Sequence, residues 1–337
     1  MNSPAPAAPL AVVTRGEAVE SQHGGHICVV NAEDEILYNL GDPETLCFAR
    51  SALKPFQAIP LLAHAGIARF GFTPAEIAMM CSSHSGEPRH VEAVLEILKK
   101  IGCHRRELQC GVHVPFFFDS VQRLPKAEEV FTPLHNNCSG KHAGMLALCQ
   151  LLNAPHESYL DPEHEVQRQI RKALAHFCGL PETALVAATD GCNAPTYAMP
   201  LRHLAWAYAR LSQGDPDPHY GDAHRHIFDA MSTHPDMVAG VKRLDLALMH
   251  AGAGDWVAKS GAEAVEAIAV RSRSWGIAMK IADGANRALP VVAIEVLRQL
   301  ELIEKTEDSV LDFFAKPSLR NLRAIEVGTI RPMFTLR

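Results

Sequence analysis

Ser51-Ala-Leu-Lys54 places a hydroxyl and an amine three residues apart. On a helix that spacing sets both groups on one face, a turn apart, where the amine can reach the hydroxyl. A neutral lysine could then take the hydroxyl proton while the serine attacks a carbonyl, which is the chemistry of an acyl-enzyme. An exposed lysine is charged at neutral pH, so such a site must lower its pKa by burial or by a neighbouring cation. The same four residues also read as a helix cap followed by a solvated lysine. Spacing alone does not separate the two readings.

Two further elements follow in order. Ser83-His84-Ser85 lies within the run from Cys81 to Glu87, and Lys259-Ser260-Gly261 stands at the edge of a β-rich run. The order Ser-x-x-Lys, Ser-x-Asn, Lys-Thr/Ser-Gly is that of serine β-lactamases and penicillin-binding proteins. The chain resembles that layout, with serine where asparagine is usual in the second element. Longer motifs narrow the resemblance: Ser51 to Gln57, Asn136 to Leu146, Asp190 to Pro195, His234 to Gly240 and Lys259 to Glu263. Taken together, over residues 10–285, they resemble the L-asparaginase II family of rhizobial type.

That resemblance implies an α+β fold similar to serine β-lactamases and glutaminases, a homodimer, and hydrolysis of L-asparagine to L-aspartate and ammonia. The two serine–lysine pairs of the family fall on Ser51 with Lys54 and on Ser83 with Lys259. Ser51 is taken as the nucleophile because it precedes a helix start, whose N–H groups can meet an oxyanion. Lys54 is then its base, with Ser83 and Lys259 relaying protons. The N–H of Ala262 becomes the second oxyanion donor by analogy with the β-lactamase layout.

The resemblance further implies a zinc ion held by Cys138, Lys141 and Cys192. Two thiolates and one more protein ligand leave a fourth tetrahedral position open, as in catalytic zinc sites. Read without the family, Cys138 and Cys192 are buried core thiols, since neither has a close Cys-x-x-Cys partner. Asp190 is either the partner of a substrate α-ammonium group or a turn aspartate bonded to its own backbone. His142 and Asn137 adjoin the cluster as residues that orient the ligands or substrate. Arg50 reads as a surface residue or as the partner of a carboxylate. The 18 histidines include no His-x-x-x-His spacing, so His84, His90 and His234 are expected in structural hydrogen bonds. Phe116-Phe117-Phe118 is expected in the core or at a dimer contact.

The elements that must position these residues follow from period and punctuation. β-rich runs at Leu10 to Arg15, His26 to Val30 and Glu35 to Leu40 predict an N-terminal antiparallel sheet after a flexible leader over residues 1–9. Ser51 precedes a helical stretch with Pro55 in its first turn and a kink expected at Pro60. Thr73-Pro-Ala-Glu76 caps a short helix, and Glu87 to Ile101 is amphipathic with a stop at Gly102. Further helices are expected at Gly144 to Leu152, Pro162 to Cys178, Leu201 to Leu211 and Leu289 to Leu300. Strands return at Leu185 to Thr189, Trp256 to Lys259, Ala264 to Arg271 and Gly276 to Ala282. The expected architecture is one catalytic domain over 10–337, with a helical insert over about 51–212 inside an antiparallel sheet built from both chain ends.

Composition bounds the function. With 337 residues, 47% of them hydrophobic, the chain can bury a large core. A net charge of -6 offers no electrostatic footprint for nucleic acid or an anionic membrane. The Pro/Ala-rich start lacks a signal peptide, no run reaches the roughly 18 apolar residues that span a bilayer, and nine cysteines lack the regular spacing of a disulfide framework. A cytoplasmic metabolic enzyme is therefore expected, which counts against an exported β-lactamase or D,D-peptidase. A glutaminase or another small-amide hydrolase stays open, because one methylene separates the substrates. So does a non-catalytic amino-acid or zinc sensor.

Overall fold

The computed structural model describes residues 6–214, 217–303 and 311–337. Eleven strands are found among them: β1 (Ala8–Arg15), β2 (Ala18–Asn31), β3 (Ile36–Leu40), β4 (Leu46–Phe48), β5 (Val186–Thr189), β6 (Pro195–Pro200), β7 (Trp256–Gly261), β8 (Val265–Val270), β9 (Trp275–Ile281), β10 (Ser318–Arg320) and β11 (Glu326–Pro332). The main sheet runs β10-β11-β1-β2-β9-β8-β7, with β3 also on β2, and every pairing in it is antiparallel. The fold is α+β, with one antiparallel sheet drawn from both ends of the chain.

β2 makes that closure possible because it is 14 residues long. Its first half pairs with β1, and Ile27 to Val30 pair with β3 beyond the end of β1. On its other edge Gly25 to Asn31 meet Ile281 to Trp275 of β9. The expected leader is shorter than residues 1–9: Ala8 and Pro9 are already paired with Gly25 and Gly24, while residues 1–5 lie outside the described residues. C-terminal strands β10 and β11, which lack a strong apolar alternation, were not foreseen, although β11 supplies the neighbour of β1.

β8 is buried at all six positions, so both faces of the sheet are covered there. Helices Leu201–Gln213 and Leu289–Gln299 are the two that pack across it. The first comes so close that a Cβ built on Gly276 of β9 would stand 1.8 Å from Ala205 O. Glycine is required at that position by the approach of helix to strand.

Between β4 and β7 the chain is mainly helical, and the helices continue past residue 212 through Ala223–Thr233 and Leu244–Gly252. A small sheet, β4-β6-β5, interrupts them, so the strand expected at Leu185 to Thr189 does not join the main sheet. The helix Lys54–Ala63 runs through Pro60. Thr73 and Glu76 form the expected capping box on Pro74–Met80. Among the described residues no helix is long and apolar enough to cross a membrane.

Adding a methyl group at Gly276 forces backbone against backbone. Gly276→Ala should lower stability by about 1–3 kcal/mol in a urea melt, and an unchanged midpoint would show that the helix can retreat from β9.

Candidate active site

Ser51 lies in the 3-10 turn Arg50–Leu53, and Lys54 begins the α-helix that continues from it. Arg50 is left-handed, with φ of 51°, a conformation uncommon for a residue with a side chain and frequent where a functional group must be aimed. Ser83 stands on the extended segment after helix Pro74–Met80. Its N–H donates to Val238 O, and that of Ser85 donates to Ala239 O, so the motif His234 to Gly240 braces it as a strand would. Gly240 has φ of 139°, and a Cβ there would stand 2.6 Å from both Glu87 Oε1 and Ser85 Oγ. The third wall is the end of β7, where Ser260, Gly261 and Ala262 face Ser51 and Ser83 across a cavity of about 580 Å³.

The amines are not bonded as the sequence pairing suggests. Lys54 Nζ donates to Ser83 Oγ at 2.9 Å, to Ser82 O at 2.5 Å and to Asn137 O at 3.4 Å. Ser51 is not among its partners. Lys259 Nζ bonds neither serine; it is held by Asp245 Oδ2 at 3.1 Å and by Ser260 O at 2.7 Å. The expected couples, Ser51 with Lys54 and Ser83 with Lys259, are thus replaced by Lys54 with Ser83 and Lys259 with Asp245. Ser51 lines the cavity, whereas Lys54 turns inward with only 1% of its surface exposed.

Burial lowers the Lys54 pKa to about 8, with Lys259 and Lys141 adding to the shift and Cys138 and Cys192 opposing it. A neutral amine is therefore accessible near physiological pH. Asp245 is the largest omission from the sequence reading. It sits on Leu244–Gly252, an apolar helix that was not foreseen, and its other oxygen accepts the N–H of Ser260. A lone carboxylate on an apolar helix face was the available signal. Behind it Glu266 is fully buried with neither oxygen partnered, and burial together with Asp245 raises its carboxyl well above the usual range.

On the far side of Asn137 lies the second cluster. Helix Ser139–Leu152 begins five residues earlier than expected, which puts Lys141 and His142 in its first turn. Lys141 Nζ donates to Cys192 Sγ at 2.9 Å, and all three of Cys138, Lys141 and Cys192 are buried. The two thiols differ in acidity. A hydrogen bond from Cys192, with Lys54 and Lys141 nearby, lowers the Cys138 pKa well below its usual value, while that of Cys192 is raised. Burial works against the charge of Lys141, yet the thiol pair and Asp190 raise its pKa. His142 Nδ1 is bonded to Tyr159 OH at 2.7 Å, and its Nε2 is buried without a partner. Cys138, Lys141 and Cys192 bring two sulfurs and an amine into one buried cluster, and thiolate sulfur is a donor that zinc takes.

Asp190 takes its turn reading and also has a side-chain partner. It accepts the N–H of Gly191 at 2.7 Å and pairs with Arg50, whose Nη2 lies 2.7 Å away. Burial disfavours its charge, but Lys141 and Arg50 hold the carboxyl below the usual range. Arg50 is accordingly the partner of a carboxylate. The N–H of Asn137 donates to His113 Nε2, and Asn137 itself lines the cavity. His84 and His90 serve the structure: His84 bonds Ser139 Oγ and the N–H of Gly86, while His90 bonds the N–H of Glu87 and Asp236 O. Phe118 is in the core, whereas Phe116 lines the cavity rather than packing inward.

Asp245→Asn leaves the Lys259 ammonium buried without a counter-charge. The variant should lose about 3–5 kcal/mol in chemical denaturation, and a loss below that of an ordinary surface substitution would mean that Lys259 has another partner.

Comparison with known proteins adds the family. The L-asparaginase II profile matches residues 11–332. Among solved structures, Mglu in its native form aligns at 14% identity and a TM-score of 0.46, over 85% of this chain and 66% of that one. Mglu in its tris and glutamate form aligns at 14% and 0.47, over 85% and 61%. The chain thus spans somewhat less than two thirds of the length of Mglu. A β-lactamase from Mycobacterium bovis aligns at 12% and 0.42, over 82% and 94%. No curated protein sequence matches the chain. A profile that runs from β1 to β11 takes in every side chain of the site just described, and the chain belongs to the L-asparaginase II family of amidohydrolases.

Proposed function

We propose that the protein hydrolyses L-asparagine to L-aspartate and ammonia through a serine acyl-enzyme. The observation that carries this reading is the buried amine of Lys54, lowered to about 8 and 2.9 Å from Ser83 Oγ, on the wall of the cavity that Ser51 shares. Ser51 is the nucleophile in this reading. Its hydroxyl opens on the cavity, whereas that of Ser83 is committed to Lys54. The Ser51 proton passes through Ser83 to the neutral Lys54 amine as Oγ attacks the amide carbon. The N–H groups of Ser51 and Ala262 receive the oxyanion. Ammonia leaves with a proton returned by the same relay, and water then cleaves the ester.

Substrate selection rests on the paired charges of Arg50 and Asp190, which suit the α-carboxylate and α-ammonium of an amino acid. Cys138, Lys141 and Cys192 would hold a zinc ion, with His142 beside them and Asn137 between that cluster and the serines. When bound, the ion would supply a positive charge that orients and polarises substrate. For the amine of Lys141 to be a ligand its proton must leave, so zinc binding should release protons. The homodimer implied by the family resemblance belongs to the same proposal.

The 2.9 Å contact favours one competing assignment, Ser83 as nucleophile with Lys54 as its direct base. Trapping the acyl-enzyme at low pH and mapping the modified peptide decides between them. Ester on Ser51 is expected; ester on Ser83 would reverse the roles and leave the chemistry standing. Ammonia release from L-asparagine should fall at least about 1,000-fold in Ser51→Ala, and no turnover by the parent protein at millimolar L-asparagine would remove the proposal, with L-glutamine run beside it for the glutaminase reading.

A base must be neutral to act. Because the Lys54 pKa is lowered, kcat/KM should rise with pH through about 8, and a profile flat from pH 6 to 9.5 would exclude Lys54 as the titrating base.

A further inference from the structure

Away from this site, Cys103, Glu107 and His156 bring their donor atoms within 4.8 Å of one another. Among the described residues no other three His, Cys, Asp or Glu side chains converge in this way. Cys103 Sγ is 3.8 Å from His156 Nδ1, and that nitrogen is 2.6 Å from Glu107 Oε2. A tetrahedral zinc ion spaces sulfur and nitrogen donors roughly 3.6 Å apart and nitrogen and oxygen donors roughly 3.3 Å apart. The first spacing is present already. The second requires the Glu107 carboxylate to swing back by roughly 0.7 Å, which replaces one hydrogen bond by two metal bonds.

Each donor is held by backbone that needs no ion. Cys103 follows the end of helix Pro88–Lys100, with its N–H on Leu98 O at 2.9 Å. The 3-10 turn Arg105–Glu107 folds Glu107 back toward it, and Glu107 Oε1 accepts the N–H of His104. His156 lies on the loop after helix Ser139–Leu152, where its carbonyl and that of Glu157 accept Gln109 Nε2 at 3.4 and 3.0 Å. The two segments are therefore docked through Gln109 before any ligand is considered. The His156 and Glu107 side chains are 21% and 33% exposed, which leaves an entry path and room for water in a fourth position.

We propose that Cys103, Glu107 and His156 form a zinc-type divalent-cation site separate from the cluster of Cys138, Lys141 and Cys192. One thiolate, one imidazole and one carboxylate select zinc over magnesium or calcium, which take oxygen donors alone. Binding takes the proton of the Cys103 thiol to solvent and leaves His156 neutral. The site clamps the Cys103 to Gln109 segment to the loop that carries Tyr159. Tyr159 OH accepts the Gln109 N–H at 2.9 Å and contacts His142 Nδ1 at 2.7 Å, so the clamp stiffens the wall behind Lys141.

The test uses the full-length chain stripped with a chelator, dialysed against micromolar Zn²⁺ and assayed for bound metal by mass spectrometry. Cys103→Ser should remove one equivalent from whatever the parent binds, and Cys138→Ser should leave that equivalent in place. In the unsubstituted chain, Zn²⁺ should slow iodoacetamide labelling of Cys103, read on its own peptide, by about tenfold or more, and Mg²⁺ should not. Parental stoichiometry in Cys103→Ser, or a Cys103 labelling rate indifferent to Zn²⁺, would overturn the site. Because both readings are taken at Cys103, the site can fail while the central zinc stands, and the reverse.

Discussion

Three lysine amines are taken out of water in the middle of this protein, and the surrounding structure is organised by how each is compensated. Removing an ammonium group from water costs several kcal/mol even after relaxation. Lys259 meets that cost with Asp245, a carboxylate as deeply buried as itself. Lys54 has no carboxylate. Its amine is satisfied by two carbonyls and the Ser83 hydroxyl, which accept hydrogen bonds without supplying charge. The same burial that Asp245 neutralises at Lys259 therefore appears at Lys54 as a lowered pKa. A base is made by leaving burial only partly offset, by Cys138 and Cys192 and without a carboxylate.

The neighbourhood keeps this difference. Ser82 and Asn137, whose carbonyls hold Lys54, belong to segments fixed from elsewhere: the first by the strand-like pairing of Ser83 and Ser85 with residues 238–239, the second by His113 and the start of helix Ser139–Leu152. Lys259 in turn adds a positive charge near Lys54 and pushes its proton off. Burial and the nearby Asp245 both disfavour the charge of Glu266 behind that ion pair. Across the cavity the arrangement is reversed. Lys141 sits against a thiol pair and Asp190, all of which favour its charge, so three buried lysines close in space have three different electrostatic environments.

Much of this was legible in the residues. The box at Thr73 and Glu76, the amphipathic period of Pro88–Lys100 and the β-rich runs of β7, β8 and β9 are local signals, and the elements follow them. The α+β class followed from their order. Less legible were helices Ala223–Thr233 and Leu244–Gly252 and strands β6, β10 and β11, whose sequences carry mixed periods and whose stability comes from what packs on them. The helix assigned from Gly144 starts at Ser139 because Asn136 and Leu134 satisfy its first turn by side-chain and backbone contacts no propensity scale contains.

The sequence by itself determined the reactive groups: two serines, three lysines, two thiols and an aspartate in motifs whose order points to one family. Tertiary structure decided which of them touch. A spacing of three residues allows contact without compelling it: Lys54 turns inward to Ser83 across 29 residues of chain, while Ser51 lines the cavity. Asp245 and Lys259 stand 14 residues apart in sequence with a helix, a turn and a strand start between them, so no pattern of spacing joins them. Charge compensation in a buried site is set by distances through space, and chain order carries that information only where one regular element holds both partners.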